Sequence, residues 1–154
     1  MPQTKVDRLT STTLAVFRLN GLLIHWGDRF SESQGLTSAR WQMLGALALS
    51  DQALSAPQIG DRVGVTRQAA QRQLNLLLDE GMVEALANPQ HKRSPLYALT
   101  PQGCKAYDAL DQRWQAHVKQ LSRHFEEADL VTTLNVLQSL AAAHATPQEP
   151  SDAT

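Results

Sequence analysis

Apolar residues recur along most of this chain every three or four positions, the spacing of helices, and switch to short apolar runs at one place only. From Lys5 to about Ser31, Leu9, Val16, Leu23 and Phe30 fall at heptad spacing, and Phe17, Leu19, Leu22, Ile24 and Trp26 widen the apolar surface well beyond one stripe. A helix so apolar must be buried on more than one side. Asn20-Gly21, in mid-pattern, is a place where it can bend. Thr37–Leu49 predicts the next helix. Ser55-Ala56-Pro57-Gln58 then opens a short helix with a capping box and an early proline. Val63-Gly64-Val65-Thr66 predicts a turn with Thr66 as N-cap, Arg67–Glu80 a second helix, and Gly81 its C-terminal stop. Val83–Ala87 and Leu96–Leu99 are candidate strands of a hairpin around Asn88–Pro95. Asn88-Pro89 is a turn signal, and Pro95 is expected at the edge of the return strand. Thr100 and Pro101 open a long helix with Cys104, Tyr107, Leu110, Trp114, Val118, Leu121 and Phe125 on one stripe. Leu130, Leu134, Leu137 and Ala141 predict a last helix. The polar, proline-containing tail after His144 is expected to be disordered.

The stretch Ser55–Gly81 has the outline of a helix-turn-helix, whose second helix enters the DNA major groove. The faces of that helix agree. Ala70, Leu74, Leu77 and Leu78 form one inward stripe, and Arg67, Gln68, Gln71, Arg72 and Asn75 occupy the other side. An ordinary amphipathic surface helix usually mixes Glu with Lys, whereas between Arg62 and Leu78 there are three arginines and no acid. Gln68, Gln71 and Arg72 are assigned to base edges, and Thr66, Arg67 and Asn75 mostly to phosphates. The loop tip carries His91, Lys92 and Arg93. Alone it reads as a solvated loop. Beside a recognition helix it places Arg93 in the adjacent minor groove and Lys92 on phosphate.

Residues from about Leu36 to about Tyr107 resemble the MarR family of bacterial winged-helix regulators. The matching residues are Leu36-Thr37 with Trp41 and Leu44, then Ile59-Gly60, Gly64-Val65-Thr66-Arg67, Leu77 and Glu80-Gly81-Met82-Val83, and finally Asn88-Pro89, Arg93 and Leu99-Thr100-Pro101-Gln102-Gly103. Each motif alone is loose; their order and spacing together are specific. The family usually has Asp where this chain has His91, an acid that helps orient the wing arginine, and more often Ala where it has Gly60. His91 would take up a proton near phosphates, which favour the imidazolium. The resemblance implies intertwined N- and C-terminal helices in a homodimer. It also implies a pocket for an aromatic or anionic small molecule between those helices and the winged domain. His25, Trp26, Trp41 and Trp114 are the candidate lining, each with an ordinary reading as a core or interface residue.

The expected fold is therefore mainly α with a small β-hairpin wing. Its parts are an N-terminal dimerisation helix (1–36), a winged helix-turn-helix domain (37–100), C-terminal dimerisation helices (101–145) and a tail (146–154). The terminal helices are too apolar for one small winged domain to cover. Two-fold symmetry also suits palindromic DNA, so dimerisation is favoured over capping of the first helix by the last two.

Composition narrows the function. The 154 residues suffice for one domain with a core, and the net charge of −1 excludes an unstructured polycation. Charge is uneven: from Pro101 onward there are seven acids against four bases. No apolar run is long enough to span a membrane, which suits a cytoplasmic regulator. The single Cys104 excludes an internal disulfide, and its place in the apolar stripe predicts an inert buried thiol. His117 and His124 lie two turns apart, about 10 Å of rise, too far to share one metal ion unaided, so no metal or cofactor is expected. There are no paired acids, no nucleophile with a base at motif spacing and no phosphate loop, which leaves an enzyme a distant third. The leading reading is a ligand-responsive repressor acting on double-stranded DNA. The alternative is a winged-helix protein-interaction or architectural module without an effector.

Overall fold

The computed structural model describes residues 2–145, which form two compact units, one ending at Gln112 and the other beginning at Arg113. The first contains α1 (Lys5–Ser31), α2 (Ser38–Ala48), β1 (Leu54–Ser55), α3 (Ala56–Val63), α4 (Arg67–Asp79), β2 (Val83–Leu86), β3 (Leu96–Leu99) and the first half of α5 (Pro101–Leu121). The second contains the rest of α5, a tight turn at Ser122–His124 and α6 (Glu127–His144); the turn ends α5 at Leu121, so Phe125, expected on the α5 stripe, instead lies beyond the helix in extended backbone. The tail expected to be disordered lies outside the described residues.

Helix α1 starts at a reciprocal cap. Thr4 Oγ1 accepts the Asp7 N–H at 3.1 Å, and Asp7 Oδ2 accepts the Thr4 N–H at 2.8 Å. The Thr4 hydroxyl, then its backbone N–H, hold the Asp7 carboxyl below the usual carboxylate range. The helix runs unbroken through Asn20-Gly21. Among the described residues, Val6, Leu14 and Phe17 are the most exposed of its large apolar side chains, and Gly27 and Ser31 are its buried residues.

Those two residues make the joint to α2. Asp28 Oδ1 accepts the Ser38 N–H at 2.8 Å and so satisfies a free donor at the start of α2. Ser31 Oγ lies 2.5 Å from Gly27 O and 3.1 Å from Leu36 O. A Cβ on Gly27 would stand 2.8 Å from Ser38 Oγ, so the two helices approach closely here and a larger residue would have to displace the Ser38 side chain.

The core of the first unit draws on every later element. Met43, Leu44, Leu47, Ile59, Ala70, Leu74, Leu77, Val83, Tyr97, Ala106 and Leu110 are all buried. Helix α3 opens on the Ser55–Gln58 capping box, with Pro57 in its first turn. Gly64 closes α3 in the left-handed conformation at φ 78°, and the Gly64 and Val65 N–H groups both donate to Gly60 O at 2.8 and 2.9 Å. The turn therefore folds back onto Gly60, where a Cβ would meet Val65 O at 2.9 Å. An alanine here would require the turn to shift outward by a few tenths of an ångström. Helix α4 is capped by Thr66, whose Oγ1 accepts the Ala69 N–H at 3.1 Å, and it ends at Gly81 with φ 72°.

Sheet order is β1-β3-β2, all antiparallel. The hairpin forms as expected, except that β2 ends at Leu86 rather than Ala87. Strand β1 has only two residues, too few to show any periodicity, and it pairs Leu54 with Tyr97 and Ser55 with Leu96. This makes β3 the central strand. Pro95 lies just before it, at the edge of the return strand as expected, outside the paired register that begins at Leu96, where its missing N–H costs no ladder bond.

The start of α5 is clamped to the end of α4. The Thr100 hydroxyl lies 2.6 Å from Gly81 O and accepts the Gly103 N–H at 3.1 Å, while the Thr100 N–H donates to Met82 O at 3.1 Å. Gly103, Ala106 and Leu110 are the buried residues of α5. Cys104 is exposed, a correction to the buried thiol expected from its stripe. The seating of Gly103 on Met82 sets the rotation of α5, and that rotation turns Cys104 outward. Half-buried Tyr107 packs at Gly45. Burial first, then Asp111 and Asp108, push its phenol above the ordinary tyrosine range.

In the second unit, Leu121, Phe125, Leu130, Val131, Leu134 and Leu137 are exposed, and no residue of α6 is buried. Trp114 faces the His117 ring at 5.8 Å. Among the described residues, no group of three or more His, Cys, Asp or Glu is placed to hold a metal, and no helix is long and apolar enough to cross a membrane.

Candidate nucleic-acid interface

Burial of Ala70, Leu74 and Leu77 in the core turns the opposite face of α4 to solvent. Thr66, Arg67, Gln68, Arg72 and Asn75 are exposed and Gln71 is half-buried. Arg67, Gln68, Gln71, Arg72 and Asn75 line one open hollow of about 550 Å³ along the helix. From Arg67 to Asn75 the helix rises about 12 Å, a few base-pair steps of duplex. The face offers guanidinium and amide groups and no carboxylate, which suits phosphates and major-groove base edges.

Two contacts set the attitude of α4. Arg40 of α2 pairs with Glu80 at its C-terminal end, and Gln102 Nε2 donates to Glu80 O at 3.2 Å. On its inner flank, Gln71 Nε2 donates to Tyr97 Oη of β3 at 2.8 Å and to Asn75 Oδ1 at 3.0 Å. Tyr97 has no place among the sequence-assigned residues. The one signal for it is a tyrosine within a strand otherwise apolar, since a buried tyrosine usually directs its hydroxyl to a partner.

The wing loop is organised by Asn88. Its side-chain nitrogen donates to Ser94 O at 2.9 Å across the neck, and its Oδ1 accepts the Gln90 N–H at 3.1 Å. His91 N–H donates to Asn88 O at 3.2 Å, and Ser94 N–H to His91 O at 3.1 Å. His91, Lys92 and Arg93 are brought together, exposed, at the tip.

The residues assigned to an effector site are only partly assembled. Trp26 stacks on Phe30 at 4.6 Å, and Phe30 meets Trp41 at 5.1 Å, so α1 and α2 share an aromatic row whose middle member the sequence reading omitted. His25 is exposed beside it, and Trp114 belongs to the second unit.

A model of the MarR family matches residues 34–94. The chain is 36% identical over 137 residues to the uncharacterized protein Rv2011c of Mycobacterium tuberculosis, covering 89% of this chain and 94% of that one. It is 26% identical over 136 residues to the transcriptional activatory protein BadR of Rhodopseudomonas palustris, covering 86% and 78%. Among solved structures, the MarR family transcription regulator SP03579 superposes with a TM-score of 0.73 at 26% identity, over 92% of this chain and 97% of that one. A cysteine-to-serine mutant of MarR from E. coli, complexed with operator DNA, shares the fold at a TM-score of 0.72 and 19% identity, over 90% and 99%. The capped helix pair, the three-stranded wing sheet and the flanking long helices define a winged helix-turn-helix transcription regulator. The chain belongs to the MarR family.

Proposed function

We propose that this protein is a ligand-responsive repressor that binds a pseudo-palindromic operator as a homodimer in the bacterial cytoplasm. The observation that carries the reading is the outer face of α4, where Arg67, Gln68, Arg72 and Asn75 stand exposed with no acid among them. Support for the dimer comes from the uncovered apolar side chains of α1 and α6, which a second copy would bury with favourable transfer energy. Two-fold symmetry would set the recognition helices about one helical turn apart, ~34 Å. Footprinting on selected sites tests this; protection of one isolated half-site by a monomer would overturn it.

In this reading Gln68, Gln71 and Arg72 face bases. Thr66, Arg67 and Asn75 hold phosphates, with the Thr66 hydroxyl at the positive end of α4. Arg72→Ala should weaken cognate binding about tenfold or more and alter base preference at one position per half-site; unchanged affinity in a gel shift removes Arg72 from the reading. At the wing, Arg93 enters the minor groove and Lys92 meets phosphate. His91 is proposed to meet the DNA beside them.

An aromatic or acidic ligand is proposed to dock at the joint of α1 and α2 beside Trp26, Phe30 and Trp41, with His25 as a polar contact. It can release DNA only by preferring a dimer whose recognition helices are wrongly spaced. A panel of phenolic and carboxylic compounds should contain one that both quenches tryptophan emission and dissociates operator. A panel that does neither discards the ligand and leaves the DNA reading standing. Because BadR is named an activatory protein, a promoter–reporter assay with the gene deleted must decide the sign: expression should rise.

A further inference from the structure

The contact between β3 and α4 bears on which bases the recognition face reads. Tyr97 is 2% exposed and sits in the central strand, opposite Leu54 on one side and Ala85 on the other. Its hydroxyl is nonetheless not idle in the core. It lies 2.8 Å from Nε2 of Gln71, and the same nitrogen lies 3.0 Å from Oδ1 of Asn75. A glutamine amide nitrogen carries two protons, and these two acceptors take both. What Gln71 has left for a partner is its carbonyl oxygen. Asn75, having given its own carbonyl oxygen to Gln71, keeps both protons of its amide nitrogen.

We propose that Tyr97 is a specificity-determining positioning residue, whose buried hydroxyl fixes the Gln71 amide so that Gln71 offers DNA an acceptor and Asn75 a donor. The proposal rests on the DNA-binding reading of α4. Its chemical consequence is definite. In the major groove adenine and cytosine present an exocyclic amino donor, whereas guanine and thymine present only acceptors. A free glutamine pairs with adenine through two bonds, giving one proton to N7 and accepting one from N6. Held by Tyr97 and Asn75, Gln71 has no proton for N7, so adenine and cytosine become near equivalents, and both are favoured over guanine and thymine. The pinning also removes rotamer freedom from Gln71 before DNA arrives, which lowers the entropic cost of contact.

Tyr97→Phe keeps the ring in the sheet and deletes only the oxygen, so one Gln71 proton is freed and the amide can turn. The test is selection from a randomised operator library with the full-length wild type, Tyr97→Phe, Gln71→Ala and the double variant. The base position read by Gln71 is the one that loses its preference in Gln71→Ala. There the wild type should enrich adenine and cytosine over guanine and thymine by about fivefold or more. Tyr97→Phe should relax that ratio at this position alone, with adenine gaining on cytosine, and the double variant should match Gln71→Ala. In the free protein, the side-chain amide resonances of Gln71 should be well dispersed and should collapse toward solvent values in Tyr97→Phe.

Guanine or thymine enriched at that position in the wild type overturns the proposal. So does a Tyr97→Phe preference identical to wild type, or an equal loss at all positions with or without Gln71, which would mark a merely structural tyrosine. If no position responds to Gln71→Ala while the wild type still selects an operator, the proposal falls and the DNA reading of α4 stands. If the wild type selects no sequence at all although the Gln71 resonances are pinned, the DNA reading itself has failed, and this proposal with it.

Discussion

Gly103→Ala should destabilise the protein severely, by ~3 kcal/mol or more, at the upper end of what overpacking costs. A Cβ at this position would stand 1.9 Å from Met82 O and 2.9 Å from its carbonyl carbon. Both are backbone atoms, held by the hydrogen bond from Thr100 N–H to Met82 O at 3.1 Å and by the Thr100 hydroxyl at Gly81 O. Neither can rotate away as a side chain could, so α5 must lift off β2 or the cap must open. The helix-propensity gain of alanine over glycine, up to about 1 kcal/mol, is too small to offset this. The loss is a large fraction of the roughly 5–15 kcal/mol that holds a typical domain folded. Thermal or urea unfolding measures it. A midpoint within a degree or two of wild type would show that the α4–α5 junction is not the rigid joint its geometry indicates.

Placing charge on the outer surface of α1 should have the largest effect on function. Leu14 and Phe17 are 63% and 71% exposed and lie one turn apart. The double change Leu14→Glu with Phe17→Glu therefore leaves the fold of the single chain intact. In the proposed dimer it would bury two unpaired carboxylates per protomer, which an apolar interface does not accept. Sedimentation should show half the wild-type mass. Operator affinity should fall by roughly 10²–10⁴, because the second half-site no longer benefits from being tethered to the first. A dimer that survives the double change, or DNA affinity that ignores it, would remove α1 from the interface. The far-ultraviolet spectrum of the variant should match wild type, which separates loss of association from loss of fold.

The two experiments probe opposite kinds of information. The Thr66 cap and the Gly81 stop could be read from the chain because each depends on atoms a few residues away. A side-chain oxygen three residues ahead of an N–H, or a glycine free to adopt φ 72°, needs no distant partner. The outer face of α4 was legible for a related reason. Once Ala70, Leu74 and Leu77 are assigned inward, helical geometry alone decides what points outward.

The misreadings share the opposite cause. Cys104 was assigned by periodicity to a buried stripe, yet the rotation of α5 is decided by how closely Gly103 can approach Met82, on the far side of the hairpin in the chain. The sheet's third strand left no pattern, because β1 has only two residues, and its pairing with β3 decides which strand is central. Phe30 read as one more apolar residue until α2 brought Trp41 to within 5.1 Å of it.

By itself, then, the sequence determined the order of the helices, the capped starts of α3 and α4, the turn between them, the hairpin and the acid-free face, since hydrogen bonds and periodicities that span a few residues specify all of these. Tertiary structure alone decided the rotation of α5, the centre of the sheet, the glycine contact between α1 and α2 and the bond from Tyr97 to Gln71. Each of these joins residues far apart in the chain, and its geometry exists only after a shared core has excluded water and brought them into contact.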